Sequence, residues 1–129
     1  MKNELIKQAH IAKEKAIPKY SNFHVGAALL TSDDKIYHGA NIESSSYGLT
    51  ICAERTALFQ ALLDGNREFK AIAVVSDSDD FCPPCGACRQ LLSDYCSPEM
   101  EVILSNKSET KVLTLKELLP FSFNEEYLK

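Results

Sequence analysis

Apolar residues recur along the chain with two different periods, and these periods predict helices and strands. The first segment has a helical period, and its apolar side chains are Leu5, Ile6, Ala9, Ala12 and Ala16. Asn3 is predicted to cap this helix, and Pro18 is predicted to stop it. Residues 23–30 and 36–42 then predict two strands, joined by a tight turn at 32–34.

A second helix is predicted over residues 51–65, ICAERTALFQALLDG. Thr50 is its predicted N-cap, and Gly65 suits the position that ends a helix. Residues 71–75 form an uninterrupted apolar run, which is typical of a strand buried on both faces. The serine-rich stretch between the first two strands and this helix, residues 43–49, predicts a loop.

A third helix is predicted to begin after Pro84 and to end before Pro98. Residues 101–104 predict another strand, and residues 110–115 predict an edge strand. The tail from residue 116 predicts a short helix broken by Pro120, followed by an aromatic extension. Helices that alternate with strands imply one α/β unit over residues 1–129, with helices packed on a central sheet that has at least one parallel pair.

Composition and charge exclude several classes of protein. The 129 residues are 45% hydrophobic and 25% charged, which fits one globular domain. The longest stretch without Asp, Glu, Lys or Arg has 13 residues (20–32), whereas a membrane-spanning helix needs about 20. The charged N-terminal stretch does not resemble a secretory signal, so we expect a cytoplasmic protein without membrane contact. A net charge of −4 makes a nucleic-acid partner an unfavourable expectation.

Five cysteines, at positions 52, 82, 85, 88 and 96, indicate metal chemistry rather than a disulfide framework. Cys85 and Cys88 have the i, i+3 spacing that places two side chains on one helix face. Cys52 also falls in a first helical turn, and helix N-termini favour thiolates. If both helix starts point at one place, three thiolates converge there. Zinc held by three protein ligands keeps a fourth position for water, as catalytic sites do.

Other interpretations of these cysteines have to be weighed. Cys82 has C-x-x-C spacing from Cys85, so an iron–sulfur or four-thiolate zinc site is an alternative. The two prolines between them force an extended backbone, which makes Cys82 a poor candidate ligand. Cys96 fits packing better than chemistry. Glu54, two residues after Cys52, is a candidate general acid and base, although a glutamate at a helix start is often only a surface group.

These motifs resemble those of a known family. C-A-E at 52–54 followed by P-C-G-A-C-R-Q at 84–90 resembles the signature of zinc-dependent nucleobase deaminases. The chain is similar in particular to small cytidine deaminases through YSNFHVGAAL (20–29), GANIE (39–43), TICAERTALF (50–59), PPCGACRQ (83–90) and LLP (118–120). Together these blocks span essentially the whole chain.

The resemblance implies a fold, an activity and a cofactor. The fold is a three-layer α/β/α sandwich around a mixed five-stranded sheet. The activity is the hydrolytic deamination of cytidine and deoxycytidine in pyrimidine salvage, with one zinc per subunit held by Cys52, Cys85 and Cys88. Glu54 would carry protons from water to N3 of cytosine and to the departing ammonia.

The resemblance also implies roles around the substrate and the metal. Asn41 and Glu43 match positions that bind the ribose 3′-hydroxyl, and the remaining substrate contacts are Phe23, the backbone of Ala53 and Cys85, and Tyr47 and Phe123 from a neighbouring subunit. The register of the tail leaves Phe121 as the alternative to Phe123. The resemblance also implies a homotetramer whose pockets are shared between subunits.

Three thiolates leave a zinc centre with one net negative charge, which makes it a weaker Lewis acid. Arg55, and in a similar way Gln90, would offset this charge by donating hydrogen bonds to ligand sulfurs. Two other functions stay open on the residues alone. One is the deamination of another cytosine-containing small molecule such as a nucleoside antibiotic. The other is a non-catalytic, zinc-stabilised binding module, which needs a fourth protein ligand.

Overall fold

A computed structural model describes residues 1–120, with only the backbone of Tyr47, and shows a five-stranded sheet with helices on both faces. Phe121, Phe123 and the rest of the tail lie outside the described residues. The elements in chain order are α1 (Lys2–Lys13), β1 (Val25–Thr31), β2 (Ile36–Ala40), a 3-10 turn (Tyr47–Leu49), α2 (Ala53–Leu63), β3 (Phe69–Ser76), α3 (Gly86–Tyr95), β4 (Glu101–Ser105), β5 (Thr110–Thr114) and α4 (Leu115–Leu118). No helix within residues 1–120 has the length and apolar content to cross a bilayer.

The sheet is mixed, as predicted. Its order is β2-β1-β3-β4-β5; β3 and β4 are parallel, and every other neighbouring pair is antiparallel. The predicted short apolar strand is the central strand β3, and five of its eight residues in a row, 71–75, are buried. A strand that is covered on both faces has no solvent side, which explains its continuous apolar run.

Two separate hydrophobic clusters flank the sheet and define three layers. Alternate residues of β1 and β3 point to opposite faces, because side chains alternate along a strand. On one face Leu29 and Ile72 pack with α2 and α3, through Leu58 and Leu92 among others. On the other face α1 packs through Leu5 and its neighbours. The predicted three-layer α/β/α sandwich is confirmed.

Two glycines let the helices approach the sheet closely. A Cβ atom built on Gly39 of β2 would lie 2.1 Å from the Ala53 carbonyl oxygen of α2. A Cβ atom built on Gly26 of β1 would lie 2.2 Å from the Ala9 carbonyl oxygen of α1. Contacts this short are impossible for any other residue type, so each glycine allows direct backbone packing.

The predicted N-caps of the first two helices were wrong by two residues, whereas α3 begins after Pro84 as predicted. Asn3 lies inside α1, whose N-cap is Met1, and the helix ends at Lys13, so Ala16 lies outside it. Cys52, and not Thr50, is the N-cap of α2, because the Thr50 hydroxyl accepts a hydrogen bond from the Ser44 amide in the preceding loop instead. The other end of α2 is as predicted, since Gly65 has a positive φ of 94° just after the helix.

Strand direction places α2 and α3 at one edge of the sheet. Both β2 and β3 run antiparallel to β1, so they are parallel to each other and end at the same edge. The chain enters α2 after β2 and α3 after β3, and β1 starts at this edge as well. The N-termini of two helices and the start of a strand therefore meet at one place.

Candidate metal centre and active site

Three cysteine sulfurs converge where α2 and α3 begin. The Sγ atoms of Cys52 and Cys85 are 3.7 Å apart, those of Cys85 and Cys88 are 3.2 Å apart, and all three lie within 4.8 Å of one another. Cys52 is half-buried, Cys85 is exposed and Cys88 is buried. Among the His, Cys, Asp and Glu side chains of residues 1–120, these three cysteines are the group whose ligand atoms lie close enough together to hold a metal ion.

Each sulfur owes its position to a helix start. Cys52 is the N-cap of α2 and Cys85 is the N-cap of α3, where its sulfur accepts a hydrogen bond from the Cys88 amide at 3.5 Å. Cys88 lies one turn later on the same face. Unpaired amide groups at a helix N-terminus stabilise negative charge, so both helices favour thiolates at this point.

The donor set fits zinc. Tetrahedral ligands at a Zn–S distance of about 2.3 Å would hold their sulfurs about 3.8 Å apart. The observed sulfur separations of 3.7 and 3.2 Å need only a small adjustment to reach this geometry. Three thiolates and no fourth side chain among the described residues leave one tetrahedral position free, which is the arrangement of a catalytic zinc site.

Arg55 carries positive charge to the cluster. Its Nη2 atom donates to the Cys52 sulfur at 3.5 Å and to the Thr50 carbonyl oxygen at 3.1 Å. Its Nε atom is buried and has no hydrogen-bond partner among residues 1–120. A guanidinium beside this sulfur stabilises the negative charge of a thiolate. The role of Arg55 in offsetting the charge of a zinc centre stays a prediction.

The protein itself prepares one sulfur for metal binding. The hydrogen bond from the Cys88 thiol is the largest cause that lowers the pKa of Cys52 to about 5, and Arg55 and Cys85 lower it further. The same hydrogen bond, together with burial, raises the pKa of Cys88. The first negative charge of the cluster is therefore held on Cys52, next to the Arg55 guanidinium.

Glu54 is a buried carboxyl beside this cluster. Its side chain is only 4% exposed, and burial is the main cause that raises its pKa from 4.5 to about 7. The negative charge of Cys52 raises it further. A carboxyl with a pKa near neutrality can both accept and donate a proton at physiological pH, which is what a general acid and base requires.

Asn41 holds the start of β1 in place. Its side-chain oxygen accepts from the Val25 amide at 2.9 Å, and its side-chain amide donates to the Phe23 carbonyl oxygen at 2.8 Å. Asn41 is 8% exposed, whereas Phe23 is 37% exposed at the edge where α2 and α3 begin. The predicted substrate residues Phe23 and Asn41 are thus joined by one hydrogen bond.

Glu43 organises the neighbouring loop. One carboxylate oxygen accepts from the Tyr20 and Ser21 amides at 3.0 and 2.9 Å, and the other accepts from the Ser21 hydroxyl. The Ser21 hydroxyl is the largest cause that lowers the pKa of Glu43, which keeps this carboxylate charged. These residues line a cavity of about 290 Å³ together with Ser44 and Thr50.

The other predicted site residues differ in what the structure shows of them. Ala53 is completely buried in the first turn of α2, so only its backbone is available to a ligand. Gln90 donates to Asp94 at 3.2 Å, one turn further along α3. Tyr47 lies in the 3-10 turn before α2, and Phe123 lies outside the described residues.

The two remaining cysteines are not part of the cluster. The sulfur of Cys82 is not within the group of three, which agrees with the extended backbone that its two prolines impose. Burial raises the pKa of Cys82. Cys96 is 8% exposed at the end of α3, and burial raises its pKa to about 12, so it remains a neutral thiol.

One residue near the site was missed in the sequence. Asp77, directly after β3, accepts from the amide and from the Nδ1 atom of His24, both at 2.8 Å, and pairs with Lys13 at 3.3 Å. The Asp77 amide in turn donates to the His24 carbonyl oxygen. These bonds tie the segment next to Phe23 to β3 and α1. An acidic residue directly after a buried strand was the available signal.

The fold and the site together define a small α/β/α zinc hydrolase with a buried carboxyl beside its metal ligands. The family profile of the cytidine and deoxycytidylate deaminase zinc-binding region matches residues 1–104, and the chain belongs to this family.

Individual proteins support the same assignment. A cytidine deaminase from Sporosarcina psychrophila is 50% identical, covering 97% of this chain and 93% of its own length. The crystal structure of a cytidine deaminase from Burkholderia pseudomallei is 50% identical, with a TM-score of 0.91 over 94% of this chain and 98% of that one. A blasticidin-S deaminase from Bacillus cereus is 33% identical over 88% of this chain and 87% of its own.

Proposed function

We propose that this protein hydrolyses cytidine and deoxycytidine to uridine and deoxyuridine with release of ammonia. The observation that carries the proposal is the convergence of three cysteine sulfurs next to a buried carboxyl, Glu54. This site lies in a chain that is 50% identical to a cytidine deaminase over nearly its full length.

Zinc bound by Cys52, Cys85 and Cys88 would supply Lewis-acid activation of water near neutral pH. Glu54, with a pKa of about 7, would then transfer protons in three successive steps. It takes a proton from the water that adds to C4 of cytosine and gives a proton to ring atom N3. It then takes the remaining proton from the new C4 hydroxyl and gives it to the amino group, which leaves as ammonia when its bond to C4 breaks and the C4 carbonyl forms.

The residues around Glu54 would bind and orient the nucleoside. Phe23 offers an exposed ring at the site, and Asn41 keeps the backbone beside that ring in place. Each polar atom of the Asn41 side chain that bonds to the backbone can form one further hydrogen bond, and the Glu43 carboxylate accepts additional donors. Both residues are therefore proposed to bind the ribose 3′-hydroxyl.

Cytidine absorbance gives a direct test. Zinc-loaded wild-type protein is expected to reduce the ultraviolet absorbance of cytidine and deoxycytidine, and a chelator is expected to stop the reaction. Glu54→Gln should retain one zinc per chain and lose deamination by at least about a hundredfold. Wild-type protein that binds zinc but leaves cytidine unchanged would refute the proposal and favour a binding module.

A second substrate is favoured by one comparison, the 33% identity to a blasticidin-S deaminase. The higher identity to cytidine deaminases favours cytidine. Parallel assays with both compounds are expected to show turnover of cytidine only. Faster turnover of blasticidin S would reverse this assignment.

We further propose that the chain forms a homotetramer whose pockets are shared between subunits. An apolar groove of about 310 Å³ runs along α2 beside the site, and its most exposed apolar residues are Leu63 (90%), Leu49 (68%) and Ile42 (44%). A contiguous exposed apolar surface of this kind is typical of a subunit interface. Tyr47 and Phe123, or Phe121 in the alternative register, are proposed to reach the neighbouring pocket. Sedimentation of a fully active monomer would contradict this.

The proposed setting is pyrimidine salvage in the cytoplasm, with the free nucleoside as substrate. The net charge of −4 is unfavourable for polynucleotides. Cytosine in single-stranded DNA is accordingly expected to remain unchanged under conditions in which deoxycytidine is consumed.

A further inference from the structure

Arg89 connects the loop that carries Cys85 with the end of α4. Its Nε atom donates to the Pro84 carbonyl oxygen at 2.8 Å, and its Nη1 atom donates to the Leu118 carbonyl oxygen, also at 2.8 Å. The Arg89 amide donates to the Cys85 carbonyl oxygen at 2.9 Å. One residue thus holds the two peptide groups on either side of the Cys85 α-carbon and a third at a distant helix end.

The orientation of the Pro84 carbonyl group affects the position of Cys85, the predicted metal ligand that follows it. Pro84 is less than 2% exposed, and its carbonyl carbon is bonded to the amide nitrogen of Cys85. The orientation of this peptide group determines how Cys85 enters α3 as its N-cap, with φ −67° and ψ 169°. In that conformation its sulfur lies 3.2 Å from the Cys88 sulfur.

An arginine is suited to this position and a lysine is not. The planar guanidinium has donors that point in several directions, so it reaches two carbonyl groups at once. A lysine ammonium is a single point on a flexible stem. Arg89 donates to backbone carbonyl groups, whereas Arg55 donates directly to a sulfur.

We propose that Arg89 is a positioning residue for zinc: it holds Cys85 in the geometry that binds the metal and couples that geometry to α4. The inference rests on the proposed zinc-dependent function. Loss of the Arg89 side chain removes the donor from a buried carbonyl beside the ligand, so the loop can turn and Cys85 can leave the metal more easily.

Zinc release measures this role without relying on turnover. The zinc-loaded protein is mixed with an excess of a chromogenic chelator, and the rate of metal transfer is followed. Arg89→Ala is expected to release zinc about tenfold faster than wild type, which corresponds to about 1.4 kcal/mol. Arg89→Lys should be intermediate. In Co²⁺-substituted Arg89→Ala, the visible bands of tetrahedral thiolate coordination should shift or weaken.

Arg67 provides a matched control. Its Nη1 atom also donates to two carbonyl oxygens, those of Leu62 and Asn66, both at 2.8 Å, but at the opposite end of α2 from the cluster. Arg67→Ala should release zinc within about twofold of wild type, even if its melting temperature falls.

Two results would overturn the inference: wild-type release from Arg89→Ala, or equal acceleration in Arg67→Ala. If Arg89→Ala does not fold, Arg89→Lys alone decides, with release more than about twofold faster in support and wild-type release against. The cytidine assay on wild-type protein separates these outcomes from failure of the proposed function. An inactive wild type refutes the function, whereas an active wild type with unaltered release from the variants refutes only the role of Arg89.

Discussion

Replacing Glu54 with glutamine is expected to stabilise the zinc-free protein at neutral and alkaline pH. The Glu54 side chain is 4% exposed, and burial raises its pKa from 4.5 to about 7. At about 1.36 kcal/mol for each unit by which the pKa is raised, keeping this carboxylate ionised costs the folded state about 3 kcal/mol. Glutamine has nearly the same shape and is never charged, so it avoids this cost.

The pH dependence of the free energy of unfolding shows whether the raised pKa of Glu54 causes the difference in stability. Below about pH 4.5 the carboxyl is protonated in both the folded and the unfolded protein, so the two variants should have similar free energies of unfolding. Between about 4.5 and 7 the unfolded chain releases the proton of Glu54 and the folded protein keeps it, so wild type loses stability as pH rises. Above about pH 7 the full difference of about 3 kcal/mol should be present.

Urea unfolding followed by circular dichroism measures the difference. Both variants are unfolded without zinc at several pH values between about 4 and 8, and the free energies are extrapolated to water. Glu101→Gln, which changes an exposed side chain at the start of β4, is the control and should show no comparable gain. Parallel pH profiles for wild type and Glu54→Gln would refute the assignment of a raised pKa to Glu54.

Three further predictions follow from other parts of the structure. Gly39→Ala should destabilise the protein by about 3 kcal/mol or more, because the new Cβ atom would overlap the backbone of α2. An unchanged melting temperature would contradict this close packing. Asp77→Ala should raise KM for cytidine several-fold, with a smaller effect on kcat and unchanged zinc content, because the segment next to Phe23 loses the hydrogen bonds that hold it. Asp79→Ala in the same loop is the control. Equal KM values for Asp77→Ala and wild type would contradict the role of Asp77. Cys96 should resist alkylation by iodoacetamide in the folded protein at about pH 8, because burial raises its pKa to about 12. Mass spectrometry of the digested protein measures the labelling, and rapid labelling of Cys96 would contradict its burial.

Local sequence patterns predicted most of the regular elements. The apolar run at 71–75 marks the central strand, and the i, i+3 pair after Pro84 marks the start of α3 with its two ligands. These predictions succeed because each depends only on residues that lie close together in the chain. The predicted N-cap of α2 failed for the complementary reason. Thr50 has the side chain of an N-cap, but its hydroxyl bonds to the Ser44 amide in a loop that only the folded chain brings near.

The end of α1 shows the same limit. Ala16 continues the helical period of apolar residues, but the helix ends at Lys13. The amide of Ile17 donates to the Asn41 carbonyl oxygen, and Ile17 forms a bridge with Ile42. Pairing with a distant segment therefore replaces one more helical turn, and nothing within residues 1–17 signals that competition.

The amino-acid sequence by itself determined which atoms are available for chemistry: three thiols at ligand spacing, a carboxyl two residues from the first of them, and the amphipathic elements that carry them. Tertiary structure alone decided that Cys52 meets Cys85, 33 positions later, at 3.7 Å, and that the Glu54 carboxyl is buried enough to have a pKa of about 7. It also decided that Arg89 reaches the end of α4. Residue type and local period record only neighbours in the chain, whereas these distances and burials result from strand order and from the packing of helices against both faces of the sheet.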